Sequence, residues 1–376
     1  METMASYLST SRGITPLMKA VAVGNKDECQ LLLEDGANPN ELSKNSSKET
    51  ALIYAVKIGS NSIVKILLEK NADPNQPNIR GKTPFLLASA CGHLSICEKL
   101  LEHSSKINLN HQDIFGYTAL MYAVIFKHFD VCALLIQKGA DLNIVERENF
   151  TALNFSAKLG FLPASKILLD AGAEYTIQNV YGETALTNAS EQGRFEIVQA
   201  LLAARADHAI QDNIGRTALL YASERGHFEI VQALLADHAN PNIQDVSERT
   251  ALSHASECGH FEIVQALLAE HANPNIQDAV ERTALSYASE CGHFEIVQTL
   301  IVADANSNCH DVHNETALHK AARAKHLEIC KYLAERMTHE SLVILNYKKK
   351  SVLQVWAVYL DTSDEQIHEE DIPYNQ

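Results

Sequence analysis

Residues 217–249 read TALLYASERGHFEIVQALLADHANPNIQDVSER, and residues 250–282 repeat them at 27 of 33 positions. Thr217 offers a side-chain oxygen to the free N–H groups of a helix start, a role threonine fills well. Leu219 and Ala222 lie three apart and share one helix face. Gly226 ends that helix, and His227-Phe228-Glu229 opens a second. There Ile230, Val231, Leu234 and Leu235 form an apolar stripe at helical spacing. Residues 240–249 are polar and turn-forming, a connector to the next threonine. Two short helices and a turn cannot bury enough apolar surface alone. Such a unit is stable only when neighbours stack on it.

The same opening, Thr-Ala-Leu, Thr-Pro-Leu or Thr-Pro-Phe, begins at Thr15, Thr50, Thr83, Thr118, Thr151, Thr184, Thr217, Thr250, Thr283 and Thr316. The spacing is 33 residues, apart from two intervals of 35. At Thr15-Pro16 and Thr83-Pro84 the favoured order of threonine cap and first-turn proline is explicit. Ten units therefore fill residues 10–335, behind a leader at 1–9. Beyond Glu335 the pattern fades. Ser351-Val352-Leu353, 35 residues past Thr316, is read as opening a degenerate capping unit over 336–360, with the sole tryptophan, Trp356, packed in it. The stretch 361–376 is polar and acidic, with the composition of a disordered tail.

The run Thr-Ala-Leu-x-x-Ala-x-x-x-Gly-His-x-Glu-Ile-Val-x-x-Leu-Leu, followed by Ala-Asn-Pro-Asn, resembles the ankyrin repeat across residues 10–335. The resemblance implies an all-α solenoid of paired antiparallel helices, with a β-hairpin finger projecting from each connector. It also implies a concave surface of fingers and inner helices that binds other proteins. The chain departs from the family in two places. The family's histidine three residues after the threonine survives only at His319; Met18, Ile53, Leu86, Met121, Asn154 or Ser253 stands elsewhere. The polar ladder at that position is therefore expected to be mostly replaced by apolar packing. The finger glycine is kept at Gly81, Gly116, Gly182 and Gly215, but Asn149, Glu248, Glu281 and Asn314 replace it in other units. Glutamate disfavours a positive φ, so the fingers at 248 and 281 are expected to be looser or differently turned. His238 and His271 fall where other units carry Gly36, Asn71, Gly139 and Gly172, a helix end that favours a left-handed backbone.

Composition and charge remove several function classes. No run of eighteen apolar residues exists, so no membrane insertion is expected, and residues 1–10 lack the basic flank and apolar core of a secretory signal. Cys29, Cys97, Cys132 and Cys330 recur at one apolar helix position, as buried reduced thiols do, which points to a reducing, cytoplasmic compartment. The net charge of −16 is uneven: residues 1–180 hold 17 Lys/Arg against 18 Asp/Glu, and residues 181–376 hold 14 against 29. Nucleic acid demands a basic face, so it is not an expected partner. Histidines are numerous, but a metal needs ligands converging within about 2.0–2.3 Å of one ion. Equivalent positions in stacked units lie roughly 10 Å apart and form a row. No metal and no cofactor is expected. Gly81-Lys82-Thr83 matches the tail of a phosphate-binding loop, yet Gln76 stands where the leading glycine belongs, and Thr83 is a repeat anchor. With no His-Glu-x-x-His or Gly-x-Ser-x-Gly element either, the chain does not read as an enzyme.

What remains is a monomeric scaffold binding a protein or peptide. The candidate contact residues are Arg80, Phe115, Tyr117, Tyr122, Phe126, Phe150, Leu159 and Tyr181, which crowd the neutral half at finger tips and inner-helix ends. Rigid aromatic rings suit interface hot spots. The competing reading of the aromatic tips is packing of finger against finger. Tyr54, Tyr122, Tyr221 and Tyr287 fall on one inner-helix position and are read, with Phe155, as lining the groove. Arg80, Lys82 and Lys158 add positive charge, so the expected partner is an apolar segment with acidic flanks. In the later units Glu191, Glu224, Glu257 and Glu290 face Arg216, Arg249 and Arg282 in what reads as a self-satisfying ladder. A second function class is a regulatory subunit that docks through the array and acts through residues 336–376. The acidic block Asp364-Glu365-Gln366-Ile367-His368-Glu369-Glu370-Asp371 resembles the Glu-rich C-terminal signals of effectors that intracellular bacteria send through type IV secretion systems. That resemblance implies delivery into a host cytosol. Leu135 followed by Asp141-Leu142-Asn143 resembles the context in which ankyrin asparagines are hydroxylated, which implies Asn143 as an acceptor; an ordinary turn asparagine is the alternative.

Overall fold

Each repeat begins with its threonine. In the computed structural model, which describes residues 13–103, 107–337, 348 and 350, Thr50 is extended at φ −90° and ψ 166°, and its Oγ1 accepts the Ile53 N–H at 3.2 Å. The helix Ala51–Lys57 follows, and Ser60 then caps the second helix, Asn61–Glu69. Twenty helices are paired in this way among the described residues. The chain divides after Val180 into two compact units of five repeats each. Within each unit, the first helices of successive repeats pack on one another and the second helices form an outer layer, an all-α solenoid. Trp356, the acidic tail at 361–376, nearly all of the capping unit at 336–360 and the leader at 1–9 lie outside the described residues.

The core is the apolar pattern of the sequence. Leu219 and Ala222 are buried on the helix Ala218–Arg225, and Ile230, Val231, Leu234 and Leu235 on Phe228–Ala236. Cys29, Cys97, Cys132 and Cys330 are all fully enclosed with free thiols. Burial pushes the Cys29 thiol up to about 11 and the other three to about 12, so none is a nucleophile at neutral pH. His238 and His271 adopt φ of 63° and 62°, the left-handed backbone their position favours.

Three expectations need correction. The fingers are not β-hairpins: among the described residues the only strand pairing is one isolated antiparallel bridge, His310 to Thr316. Each finger closes instead as a turn tied by an acidic or amide side chain. Asp212 Oδ1 accepts the N–H groups of Ile214 at 3.0 Å and Arg216 at 2.8 Å. Nor are the fingers at Glu248 and Glu281 differently turned. Glu248 takes φ 60° and donates its N–H to the Asp245 carbonyl at 2.8 Å, as Gly215 at φ 77° does to Asp212 at 3.0 Å. Asp245 accepts from Ser247 and Arg249 on the same pattern, and these bonds together overcome the left-handed penalty. Glu248→Gly is therefore expected to raise stability by roughly 0.5–1 kcal/mol, net of glycine's greater entropy loss, readable as a higher unfolding midpoint. A lower midpoint would show that the glutamate side chain makes a stabilising contact. The polar ladder, finally, is absent from half of the repeats, the first four and the seventh, where Met18, Ile53, Leu86, Met121 and Leu220 are buried. Asn154 and Thr187 restore a reciprocal cap with Thr151 and Thr184, and His319 Nδ1 accepts the Thr316 N–H at 3.2 Å.

Repeats are joined by bonds that the single unit does not reveal. The histidine opening an outer helix donates from Nε2 to a carbonyl of the preceding repeat: His128 to Ala90 at 3.1 Å, His227 to Glu191 at 3.2 Å, and His260 to Glu224 at 3.1 Å. In the connectors, an asparagine Oδ1 accepts an N–H one repeat on. Asn110 takes Asp141 at 2.9 Å, and Asn143 takes Glu174 at 2.9 Å. Asn143 is exposed and carries this turn linkage.

Candidate protein-binding surface

In the first unit, the finger 113–117 and the helix Ala119–Ile125 set out a run of aromatic rings. Tyr117 precedes the Thr118 cap, Tyr122 sits one turn into the helix, and Phe126 is its C-cap. The rings follow one another: Phe126 stacks on Tyr122 at 6.1 Å, Tyr122 meets Tyr117 at 5.3 Å, Tyr117 meets Phe155 at 5.8 Å, and Phe155 meets Phe150 at 5.1 Å. Phe126 is 53% exposed and Phe115 42%, while Tyr117, Phe155 and Leu159 are half-buried. Arg80 is exposed. Tyr181 is 52% exposed but belongs to the second unit.

Two of the candidate residues leave the surface. Phe150 is buried at 4% exposure, beneath the Lys158 ammonium 5.0 Å from its ring, and is a core residue of the finger base. Tyr122 is buried too, as are Tyr54, Tyr221 and Tyr287, so this position does not line a groove. Its side chain runs under the finger, where Tyr122 Oη donates to Asp113 Oδ2 at 2.8 Å and Tyr221 Oη to Asp212 Oδ2 at 2.6 Å. Burial, and then the carboxylate it donates to, push each of these phenols up. The position's business is to tie finger to helix, which periodicity alone cannot reveal. His254 makes the same tie, 2.9 Å from Asp245 Oδ2, and burial lowers its affinity for a second proton.

Cations lie over the run of rings. Lys82 Nζ is 4.3 Å from the Tyr122 centroid, and the Arg147 guanidinium is 5.3 Å from that of Phe115. Such contacts contribute about 0.5–1 kcal/mol at exposed sites. Among the described residues, no carboxylate pairs with Arg80, Lys82, Arg147 or Lys158. The second unit is the opposite case. Arg216 pairs with Glu224 at 2.7 Å and Arg249 with Glu257 at 2.5 Å; Arg323 bridges Glu290 at 2.7 Å and Glu315 at 2.6 Å. The self-satisfying ladder is present.

Thr83, the last residue of the loop-like tripeptide, caps the helix Pro84–Ala90 by accepting the Leu86 N–H at 3.2 Å. Among the described residues no three His, Cys, Asp or Glu side chains are grouped to hold a metal ion, and no helix is long and apolar enough to cross a membrane. A family model of ankyrin repeats, built as three copies, matches the chain in overlapping segments at residues 3–78, 74–146, 139–212, 202–278 and 252–343. Ankyrin repeats are in general protein-interaction scaffolds and typically not enzymes. Threonine-capped helix pairs at a 33-residue period and a family match running from residue 3 to residue 343 lead to one assignment: the chain belongs to the ankyrin repeat family.

Proposed function

We propose that this protein is a scaffold whose first unit grips an apolar segment of a partner protein, with acidic residues flanking that segment. The observation that carries this reading is Phe126: a ring stacked at 3° on Tyr122 yet 53% exposed, at a helix C-cap where the fold needs no aromatic. Phe115 and Tyr117 extend the same apolar surface, and the cations without carboxylate partners supply the complementary charge for acidic flanks. The enclosed free thiols support a cytoplasmic setting.

Hot-spot aromatics typically contribute about 2 kcal/mol or more. With a partner identified by proximity labelling, Phe126→Ala or Tyr117→Ala is expected to weaken capture at least tenfold while leaving helicity intact. Glu257→Ala with Glu290→Ala should leave affinity nearly unchanged, because those carboxylates already serve Arg249 and Arg323. Loss of the partner in the glutamate variants, with the aromatic variants unaffected, would place the binding surface in the second unit instead.

A further inference from the structure

Beside the aromatic run lies a cavity of about 360 Å³ between the fingers that precede the second and third repeats. Lys57, Arg80 and Lys82 all line it. One carboxylate, Glu49, shares the wall, and it is already committed. It is buried, it takes Lys57 Nζ at 2.5 Å, and it accepts from Asn78 Nδ2 at 3.3 Å. Once Lys57 and Glu49 cancel, the lining keeps a formal charge of +2, from Arg80 and Lys82. Ser46 and Ser47 also line it, the Ser47 hydroxyl donating to Asn45 Oδ1 at 2.7 Å. We propose that this cavity is an anion pocket that receives a phosphorylated side chain, a phosphoserine or phosphothreonine, of the partner protein.

The charge favours this occupant. A phosphoryl group carries about −1.5 to −2 at pH 7 and three acceptor oxygens, so one such group neutralises the lining; a carboxylate would leave it half satisfied. Arg80 brings a fork of donors suited to phosphate, and Lys82 a point charge. Lys82 is half-buried without a carboxylate partner. Its ammonium is held below the ordinary lysine range, chiefly by burial, with Arg80 and Lys57 adding to the effect against the pull of Asp113. A bound dianion would relieve that cost. The pocket also joins the proposed surface directly, since the same Lys82 ammonium sits over Tyr122, the ring on which Phe126 stacks. Nucleic acid is a poor occupant, because its affinity comes from many phosphate contacts along a basic track. Here one dianion's worth of charge stands in a unit of 17 Lys/Arg against 18 Asp/Glu, which has no basic track.

The inference rests on the protein-binding reading above and deepens it, so the test must let the two fail separately. The full chain is titrated with two fluorescent degenerate peptide pools that carry hydrophobic positions around a fixed central residue, phosphoserine in one and serine in the other. The phosphoserine pool is expected to bind at least tenfold tighter, with inorganic phosphate competing. Arg80→Met and Lys82→Met, which keep the aliphatic stems, are expected to erase that preference with helicity unchanged. Phe126→Ala is expected to weaken both pools while preserving their ratio. Equal affinity for the two pools, or binding of neither, overturns the phosphate pocket; if Phe126→Ala still weakens partner capture in that case, the aromatic surface survives alone. Two further probes are vesicles containing phosphatidylinositol bisphosphate and a short oligothymidylate. If Lys82→Met abolishes binding to either while the peptide pools show no preference, the pocket takes its phosphate from another source and the proposal is likewise overturned.

Discussion

Lys320→Ala is expected to lower the stability of the last described repeat by about 3–5 kcal/mol, the range found when one member of a buried ion pair is removed. Lys320 is 1% exposed, with Nζ 2.6 Å from Asp311 Oδ2 and 3.1 Å from Glu315 Oε2. Glu315 is also held by Arg323, but without Lys320 the Asp311 carboxylate is left enclosed and without a cation. Burial is the largest single influence and would raise the Asp311 carboxyl; the hydrogen bond and charge of Lys320, together with the backbone N–H groups of Glu315 and His313, outweigh it and hold the group below the usual aspartate range. A depressed carboxylate stabilises the fold above its unfolded pKa of about 3.9, and that contribution is lost as pH falls below it through the folded value. The repeat should therefore loosen in acid below about pH 4. Lys320→Tyr is expected to be much milder than the alanine, because Tyr221 and Tyr287 meet Asp212 and Asp278 from the equivalent position. Amide hydrogen exchange resolved along the chain reads both variants. It is preferable to one global unfolding curve because repeat arrays open locally. Equal protection in the alanine variant and the native chain would mean that this ion pair does not hold the repeat.

Gly92→Ala is expected to cost about 2–4 kcal/mol, more than its half-buried place at a helix end suggests. Gly92 has φ +71°, and an added Cβ would lie 2.4 Å from Nδ1 and 2.6 Å from Cε1 of His128 in the next repeat. The left-handed backbone accounts for about 1–2 kcal/mol of the effect. Displacing the ring adds about 0.5–1.5 kcal/mol for the bond from His128 Nε2 to the Ala90 carbonyl, together with the overpacking itself. The same arrangement recurs where Gly193, Gly226, Gly259 and Gly292 face His227, His260, His293 and His326. One repeat on from Gly92 it changes: Lys127 takes φ 59°, and the following repeat carries Phe161 in place of histidine. Gly92→Lys combined with His128→Phe should therefore be less destabilising than Gly92→Lys alone, measured as an interaction energy in a double-mutant cycle. Additive effects would show that the two positions do not sense each other.

The two examples show where reading along the chain stops. Glycine and histidine adjoin in the sequence at Gly226-His227, and the natural inference is that they serve one helix junction. In space Gly59, Gly92, Gly193, Gly226, Gly259 and Gly292 each meet the histidine of the following repeat, 34 residues later in the case of Gly226 and His260. The signal was present in the chain, because lysine at 127 goes with phenylalanine at 161. It becomes visible only when residues are compared across a full repeat. The candidate surface divides in the same way. Tyr122 and Phe126 are four apart on one helix, which places both on the same side. One is enclosed and the other is half open, because the Asp113 finger folds over the first and stops short of the second. Phe150, counted among the finger-tip rings, is drawn into the core between Phe155 and Lys158.

The repeat itself was decided by sequence alone. Its start and stop signals and its apolar stripe act within one or two helical turns, so threonine caps, glycine ends and the spacing of Leu219, Ala222, Ile230 and Leu234 were enough to locate two helices per unit and a core between units. The tertiary structure decided everything that depends on a residue's partner 30 or more positions away. That includes the histidine bonds between repeats; over two to nine positions within a repeat, it also decided the binding of fingers by buried carboxylates and the tolerance of Glu248 for a glycine's backbone. It decided, too, which aromatic rings and cations are left facing solvent. These outcomes depend on how one repeat lies against the next, and burial and charge pairing are set by that contact, not by the local pattern of either repeat.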